Sequence, residues 1–243
     1  MSFASAPHAF FIRVPRFRSK SISRWRPALL VAAIVVAAFY TFWIGSLVVL
    51  RFVNPPTTGV QMQRRVESWF SSKPCRKRYR FIPLTRISPE LHHAVISAED
   101  GHFYTHHGVD WDAVQKVVEE SSETGRVRRG ASTITQQLVK NLFFTTHANP
   151  LRKAVEYTLA PLADIILGKR RTLELYLNVV EWGPGVYGAA EAARYHYGVD
   201  AARLNREQAA RLAACLPLPL RRRPAYMNRY SAAILARMQQ VGW

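Results

Sequence analysis

The pattern of hydrophobic and polar positions divides the chain near residue 54. From Pro27 to Leu50 it reads PALLVAAIVVAAFYTFWIGSLVVL, 24 residues without a charge. As a helix this run is roughly 36 Å long, more than a hydrocarbon core of about 30 Å. Tyr40, Trp43 and Phe52 add aromatic weight toward its far half, in keeping with interfacial anchoring. A cleaved signal peptide has a shorter apolar region of about 7–15 residues. The pattern therefore predicts an uncleaved transmembrane anchor over residues 27–53. Asn54-Pro55-Pro56 ends it, because proline cannot continue a helix comfortably.

After the anchor comes a connector over 54–78, amphipathic from Thr57 to Phe70 and then polar and basic. Tyr79 to Leu84 reads as extended, the one strand the pattern offers. Beyond it, apolar residues spaced three and four apart predict helices nearly throughout. Ser88-Pro89 starts one that runs to about Glu99, and Asp110 caps another to about Glu123. Asn149-Pro150 opens a long helix that Gly168 can end. Further helices are expected over 171–179 and 186–197. Asn205 with Gln208 forms a capping box for a helix to about Cys215, and a last helix covers about 228–241. Residues 79–243 are read as one mainly α domain.

One stretch departs from ordinary amphipathicity: Gly130 to Asn141, GASTITQQLVKN. Ser132 can cap a helix whose core face is Ile134, Leu138 and Leu142. Ser132, Gln136 and Lys140 share another face, with Thr133, Gln137 and Asn141 alongside. Solvated helix faces usually mix Glu with Lys, and this one carries no acid. It reads as a surface for a polar, anionic ligand, the alternative being a solvated face.

Composition sharpens that. The 243 residues carry a formal net charge of +18 with 49% hydrophobic content. Residues 1–26 hold six basic side chains and no acid, which leaves +12 for the rest. An anionic partner is implied. The six cations should keep the N-terminus cytoplasmic and send the domain across the membrane. Two cysteines, Cys75 and Cys215, allow at most one bridge, and spacing cannot say whether they pair.

Candidate chemistry begins with Glu99. It follows Leu91, Val95 and Ala98 on the buried side of its helix, at the helix C-terminus. Desolvation and the negative end of the dipole both raise a carboxyl pKa, which suits a general base. Asp100 beside it is read as tying down the following turn. His102, His106 and His107 offer an i, i+4 pair, but no HExxH pattern and no third ligand supports zinc. A hydrogen-bonding role suits His106 better. Arg152 and Glu156 are four apart and flank a buried stripe, close enough in sequence to Lys140 for their helices to pack side by side. Lys169, Arg170 and Arg171 add cations after Gly168.

Taken together, these blocks resemble a known family. EDGHFYTHHGVD (Glu99 to Asp110), the Gly130–Asn141 block, and RKAVE (Arg152 to Glu156) match its first three motifs in order. KRRTLELYLN (Lys169 to Asn178) and Trp182 to Gly198 continue in register. The chain is similar to the family 51 glycosyltransferases, which polymerise lipid II. The resemblance covers about residues 80–220 and implies a lysozyme-like helical domain. It also implies a small hydrophobic jaw, from about 103 to 129, lying against the membrane. No transpeptidase domain follows, as in short, singly anchored members. It implies inverting transfer, with Glu99 as the base and Lys140 and Arg152 stabilising the departing pyrophosphate. Glu156 is a second essential carboxylate, as acid, metal ligand or organiser of cations. Ser132, Thr133, Gln136, Gln137 and Asn141 bind substrate, as does Lys169, for which Arg170 could substitute. No cofactor is required by the pattern, though the pyrophosphate leaves room for a divalent cation (Mg or Mn). The implied partners are lipid II, the nascent glycan, the membrane and proteins of cell division or wall synthesis, with no nucleic acid.

The chemistry fits without the analogy. A sugar hydroxyl is a poor nucleophile and needs a base, and a leaving pyrophosphate needs prepositioned cations. Two rivals remain at this point. A lysozyme-like hydrolase or lytic transglycosylase would use similar carboxylates but has no evident use for the Lys140–Arg152–Lys169 set. A non-catalytic binder of an anionic polymer would explain the charge but not the two acids among the cations.

Overall fold

The computed structural model describes residues 22–71, 76–125 and 131–243. Residues 1–21 of the basic tail, Cys75 and Gly130 lie outside the described residues. By compactness the chain forms two units, up to Phe42 and from Trp43 onward. The first is the greater part of helix α1 (Ile22–Phe52). Its apolar side chains, among them Leu29, Val31, Ile34 and Phe42, face outward. Over Trp25–Phe52 it is long and apolar enough to cross a membrane.

The second unit is built from helices whose ends the sequence marks. α2 (Gly59–Trp69) starts where Thr58 Oγ1 accepts from Gln61 N, at 3.4 Å. It makes the amphipathic connector a packed part of this unit. α3 (Pro89–Glu99) follows Ser88-Pro89 as expected. Asp110 caps α4 (Trp111–Thr124), accepting from Ala113 N at 2.9 Å. α5 (Ile134–Phe143) has a full capping box, but its cap is Thr133, with Gln136 reciprocating. The expectation of Ser132 as cap is thus one residue early. α6 (Pro150–Val179) is two helices that meet at a kink, at Gly168 with φ 71°. That left-handed conformation suits glycine alone.

Three short strands form a sheet in the order β1-β3-β2. β1 (Arg78–Tyr79) runs parallel to β3 (Val186–Tyr187), with Arg78 opposite Val186. β2 (Glu181–Gly183) pairs antiparallel with β3 through a bulge. Residues 186–188, expected as helix, are instead strand and turn. Gly185 and Gly188 sit at φ 70° and 80° and close the hairpin before α7 (Ala189–Tyr197) can begin. α8 (Arg206–Ala213) and α9 (Asn228–Gln240) complete the unit. Apolar burial centres on Leu91, Val95, Phe103, Ile134, Leu138, Leu159 and Trp182.

The outer end of α1 belongs to this second unit. Leu47 is fully buried, and the Trp43 ring lies 4.6 Å from Phe143 and 5.8 Å from Phe144. Arg171 donates to the Leu50 and Val53 carbonyls at 3.0 Å each. Those are carbonyls a helix C-terminus leaves without partners.

Candidate active site

Glu99 ends α3, half-buried, because Leu91 and Val95 turn that face of the helix into the core. The chain then bends through Asp100, whose carboxylate is shared between two elements. Its Oδ2 accepts from Ile134 N at 2.8 Å, and His106 Nε2 lies 3.0 Å from Oδ1. Asp100 thereby fastens the end of α3 to the start of α5. It ties down the turn as its position in the sequence suggests, and it does so by capping another helix. His106 takes the hydrogen-bonding role expected of it.

This fastening sets Glu99 against the α5 face. Gln137 Nε2 donates to Glu99 Oε2 at 2.7 Å. Burial raises the Glu99 pKa above the ordinary carboxylate range. The Gln137 hydrogen bond and the positive charges of Lys140 and Arg222 oppose that effect, and Asp100 adds to it. The Gln137 amide is itself held, since the Tyr176 hydroxyl donates to Gln137 Oε1 at 2.8 Å.

Lys140 lies one turn further along α5. Burial lowers its pKa, with Glu156 and Glu99 pulling it back up. Its ammonium makes no hydrogen bond or ion pair with any described residue. Asn141 donates to the Gln137 carbonyl at 2.7 Å. Thr133 and Gln136, expected to touch ligand, do not reach the cleft. Both are buried, Thr133 donating to the Gly108 carbonyl at 2.6 Å and Gln136 closing the capping box. A helix N-terminus needs such partners, and the Thr133 hydroxyl and the Gln136 amide oxygen provide them.

α5 packs along α6, as the short spacing between Lys140 and Arg152 suggests. There Glu156, 2% exposed, is clasped by two cations. Arg152 Nη1 is 2.8 Å from its Oε1, and Lys153 Nζ is 3.4 Å from its Oε2. Lys153 also donates to Ser132 Oγ at 2.9 Å, which brings Ser132 to the cation cluster. Lys169 is placed elsewhere. It pairs with Asp164 at 2.8 Å, donates to the His106 carbonyl, and sits 5.0 Å over the Phe103 ring. Those contacts brace the loop that follows Asp100.

Gln137, Lys140 and Asn141 line a cavity of about 470 Å³, closed opposite by Leu216 to Arg221. A smaller hollow of about 100 Å³ opens on the Glu99 side, bordered by Arg222, Tyr230 and Arg237. Pro217 borders both. Lys153, Tyr176 and Arg222 are the contributors not singled out from sequence. Lys153 was within reach, adjoining Arg152 in its block. Tyr176 reads only as an apolar helix position, and Arg222 only as one of three consecutive arginines, Arg221 to Arg223. Among the described residues no three His, Cys, Asp or Glu side chains gather as a metal site.

A half-buried carboxylate thus faces a cation cluster across one polar helix of a helical body. The Transglycosylase family profile matches residues 66–241, and the chain belongs to that family. This assigns the helical body to the lysozyme-like fold. Relatives carry the name biosynthetic peptidoglycan transglycosylase. The chain is 45% identical over 203 residues to one from Pseudomonas entomophila, covering 82% of this chain and 86% of the relative. To the one from Bordetella pertussis it is 42% identical over 223 residues, covering 88% and 92%. To the one from Nitrosospira multiformis it is 41% identical over 220 residues, covering 88% and 96%.

Proposed function

We propose that this chain is a peptidoglycan glycosyltransferase that polymerises lipid II into β-1,4-linked glycan strands for cell-wall synthesis. The observation that carries the reading is the pairing of Glu99, a carboxylate whose burial raises its proton affinity, with Lys140, a cation left unpaired one turn beyond Gln137. A lytic enzyme has a sugar leaving group and no use for that cation.

The chemistry follows from the placement. The acceptor 4-hydroxyl gives its proton to Glu99 as its oxygen attacks the anomeric carbon of the donor. The bond from that carbon to the pyrophosphate breaks with inversion, and the charge released falls to Lys140, Arg152 and Lys153. Glu156 organises those last two cations, since both its oxygens face them. The same occupancy makes Glu156 a poor ligand for a divalent ion. No step is routed through Mg or Mn.

Gln137 and Asn141 align the sugars, and Ser132 steadies Lys153. Thr133, Gln136 and Lys169 support that surface from behind. α1 is the single-pass anchor, with the N-terminus cytoplasmic, the enzyme in the cell inner membrane and the catalytic unit periplasmic. α4, with Trp111 and Val118 exposed, is the jaw that rests on the bilayer.

The test is direct. Fluorescent lipid II incubated with the full chain in vesicles should yield long strands, and Glu99→Gln should yield none while remaining folded. Wild-type polymerisation by that variant, or shortening of preformed glycan by the unmodified chain, would overturn the reading.

A further inference from the structure

A second cavity adjoins the catalytic one. It has a volume of about 530 Å³ and is walled by α2 on one side and the β2–β3 hairpin on the other. That volume lies within the range of small-molecule sites, about 300–1,000 Å³. Arg64, Glu181 and Leu220 border both cavities, so the two meet there. Six of its thirteen lining residues come from α2, outside the motif blocks that carry the reaction.

One of its polar groups is left unsatisfied: Gln61 is 2% exposed, yet neither its amide nitrogen nor its amide oxygen has a hydrogen-bond partner among the described residues. Leaving a buried polar group unpaired costs about 1–3 kcal/mol, and such groups call for an explanation. Arg64 is neutralised, held between Glu67 at 2.7 Å and Glu181 at 3.2 Å. Arg65 and Lys77 have no carboxylate partner among the described residues. Lys77 donates to the Pro56 carbonyl at 3.2 Å. Burial, and after it the Arg65 charge, lowers the Lys77 pKa. Two like charges left beside an unpaired amide suit a ligand that brings both anion and amide. Trp69, largely exposed on the same wall, offers an apolar ring face.

We infer that this cavity is a distal subsite for the nascent strand. It would hold an N-acylated amino sugar bearing a carboxylate-ended peptide branch, beyond the sugar that reacts at Glu99. Gln61 takes the amide, Arg65 and Lys77 the carboxylate, and Trp69 the sugar face. The inference rests on the polymerase reading, because a strand growing at the catalytic cavity can extend into the one joined to it.

Two variants and a binding measurement test it. With the full chain in vesicles, Gln61→Leu and Arg65→Glu should each shorten the mean strand made from lipid II by threefold or more. Gln61→Leu should do so with Tm equal to or above that of the unmodified chain, because no internal hydrogen bond is lost. Separately, a soluble glycan tetrasaccharide with its peptide branches should bind the unmodified chain at least fivefold more tightly than Arg65→Glu, by calorimetry. Strands of unchanged length from both variants would overturn the inference. If the unmodified chain makes no strands, the polymerase reading fails, and equal tetrasaccharide affinities would then sink the subsite as well.

Discussion

Gln137 holds Glu99 by its nitrogen, at 2.7 Å, because Tyr176 claims the oxygen of the same amide. A hydroxyl that must donate fixes which end of the amide faces the carboxylate. Removing the Tyr176 hydroxyl frees the amide to turn its oxygen toward Glu99, which an ionised carboxylate opposes. Tyr176→Phe is expected to lower kcat about tenfold, within the range of general-base contributions. It should also move the acid limb of the pH–rate profile upward, since the Gln137 bond is the largest of the influences that hold the raised Glu99 pKa down. An unshifted limb would reject the relay.

The raised Glu99 pKa has a stability consequence of definite sign. Between the unfolded carboxyl pKa and the higher folded one, the native state holds more protons. Stability therefore falls as pH rises through that window. Ionised Glu99 costs the fold stability at neutral pH, and Glu99→Gln should raise Tm at pH 7.5 while abolishing activity. At pH 4 the two proteins should melt alike. Thermal scans at the two pH values check this.

Lys140 makes no hydrogen bond or ion pair with any described residue, so its loss should be felt only when substrate charge develops. Lys140→Met is expected to cost about 10²–10³ in kcat, as losing one oxyanion donor does, with Tm at or above that of the unmodified chain. A large drop in Tm would instead give Lys140 a structural role.

Glu156→Gln should behave in the opposite way. It strips the shared carboxylate from Arg152 and Lys153. Breaking such a pair at a buried site costs about 3 kcal/mol. Urea denaturation should show the midpoint falling together with activity, and high salt should restore part of the stability.

What is legible in the sequence is what is encoded locally. The long apolar helix α1 is a matter of length without charge, and Asp110, Asn149 and Asn205 mark helix starts by capping chemistry that needs no neighbour in space. Glu99, Arg152 and Glu156 could be gathered because helical spacing placed each beside a buried stripe, and Lys140 because it is the cation on a polar helix face that carries no acid. The strands at 181–187 are hidden because two or three residues make no alternation to read, and glycines at positive φ decide the outcome. Thr133 and Gln136 look like ligand groups for the same reason they make a good capping box: both tasks want uncharged hydrogen-bonding side chains. Tyr176 and Arg222 reach the site through tertiary packing, which no local pattern announces.

The seating of Trp43 and Leu47, with Arg171 closing on Leu50 and Val53, bears on how a soluble fragment should be cut. Trimming the hydrophobic segment at its apparent end, near residue 54, would strip Phe143 and Phe144 of their cover at the foot of α5. It would also leave the Arg171 guanidinium without those two acceptors. A boundary just before Trp43 keeps the plug in its socket, and the fragment so made should resist aggregation better than the shorter one.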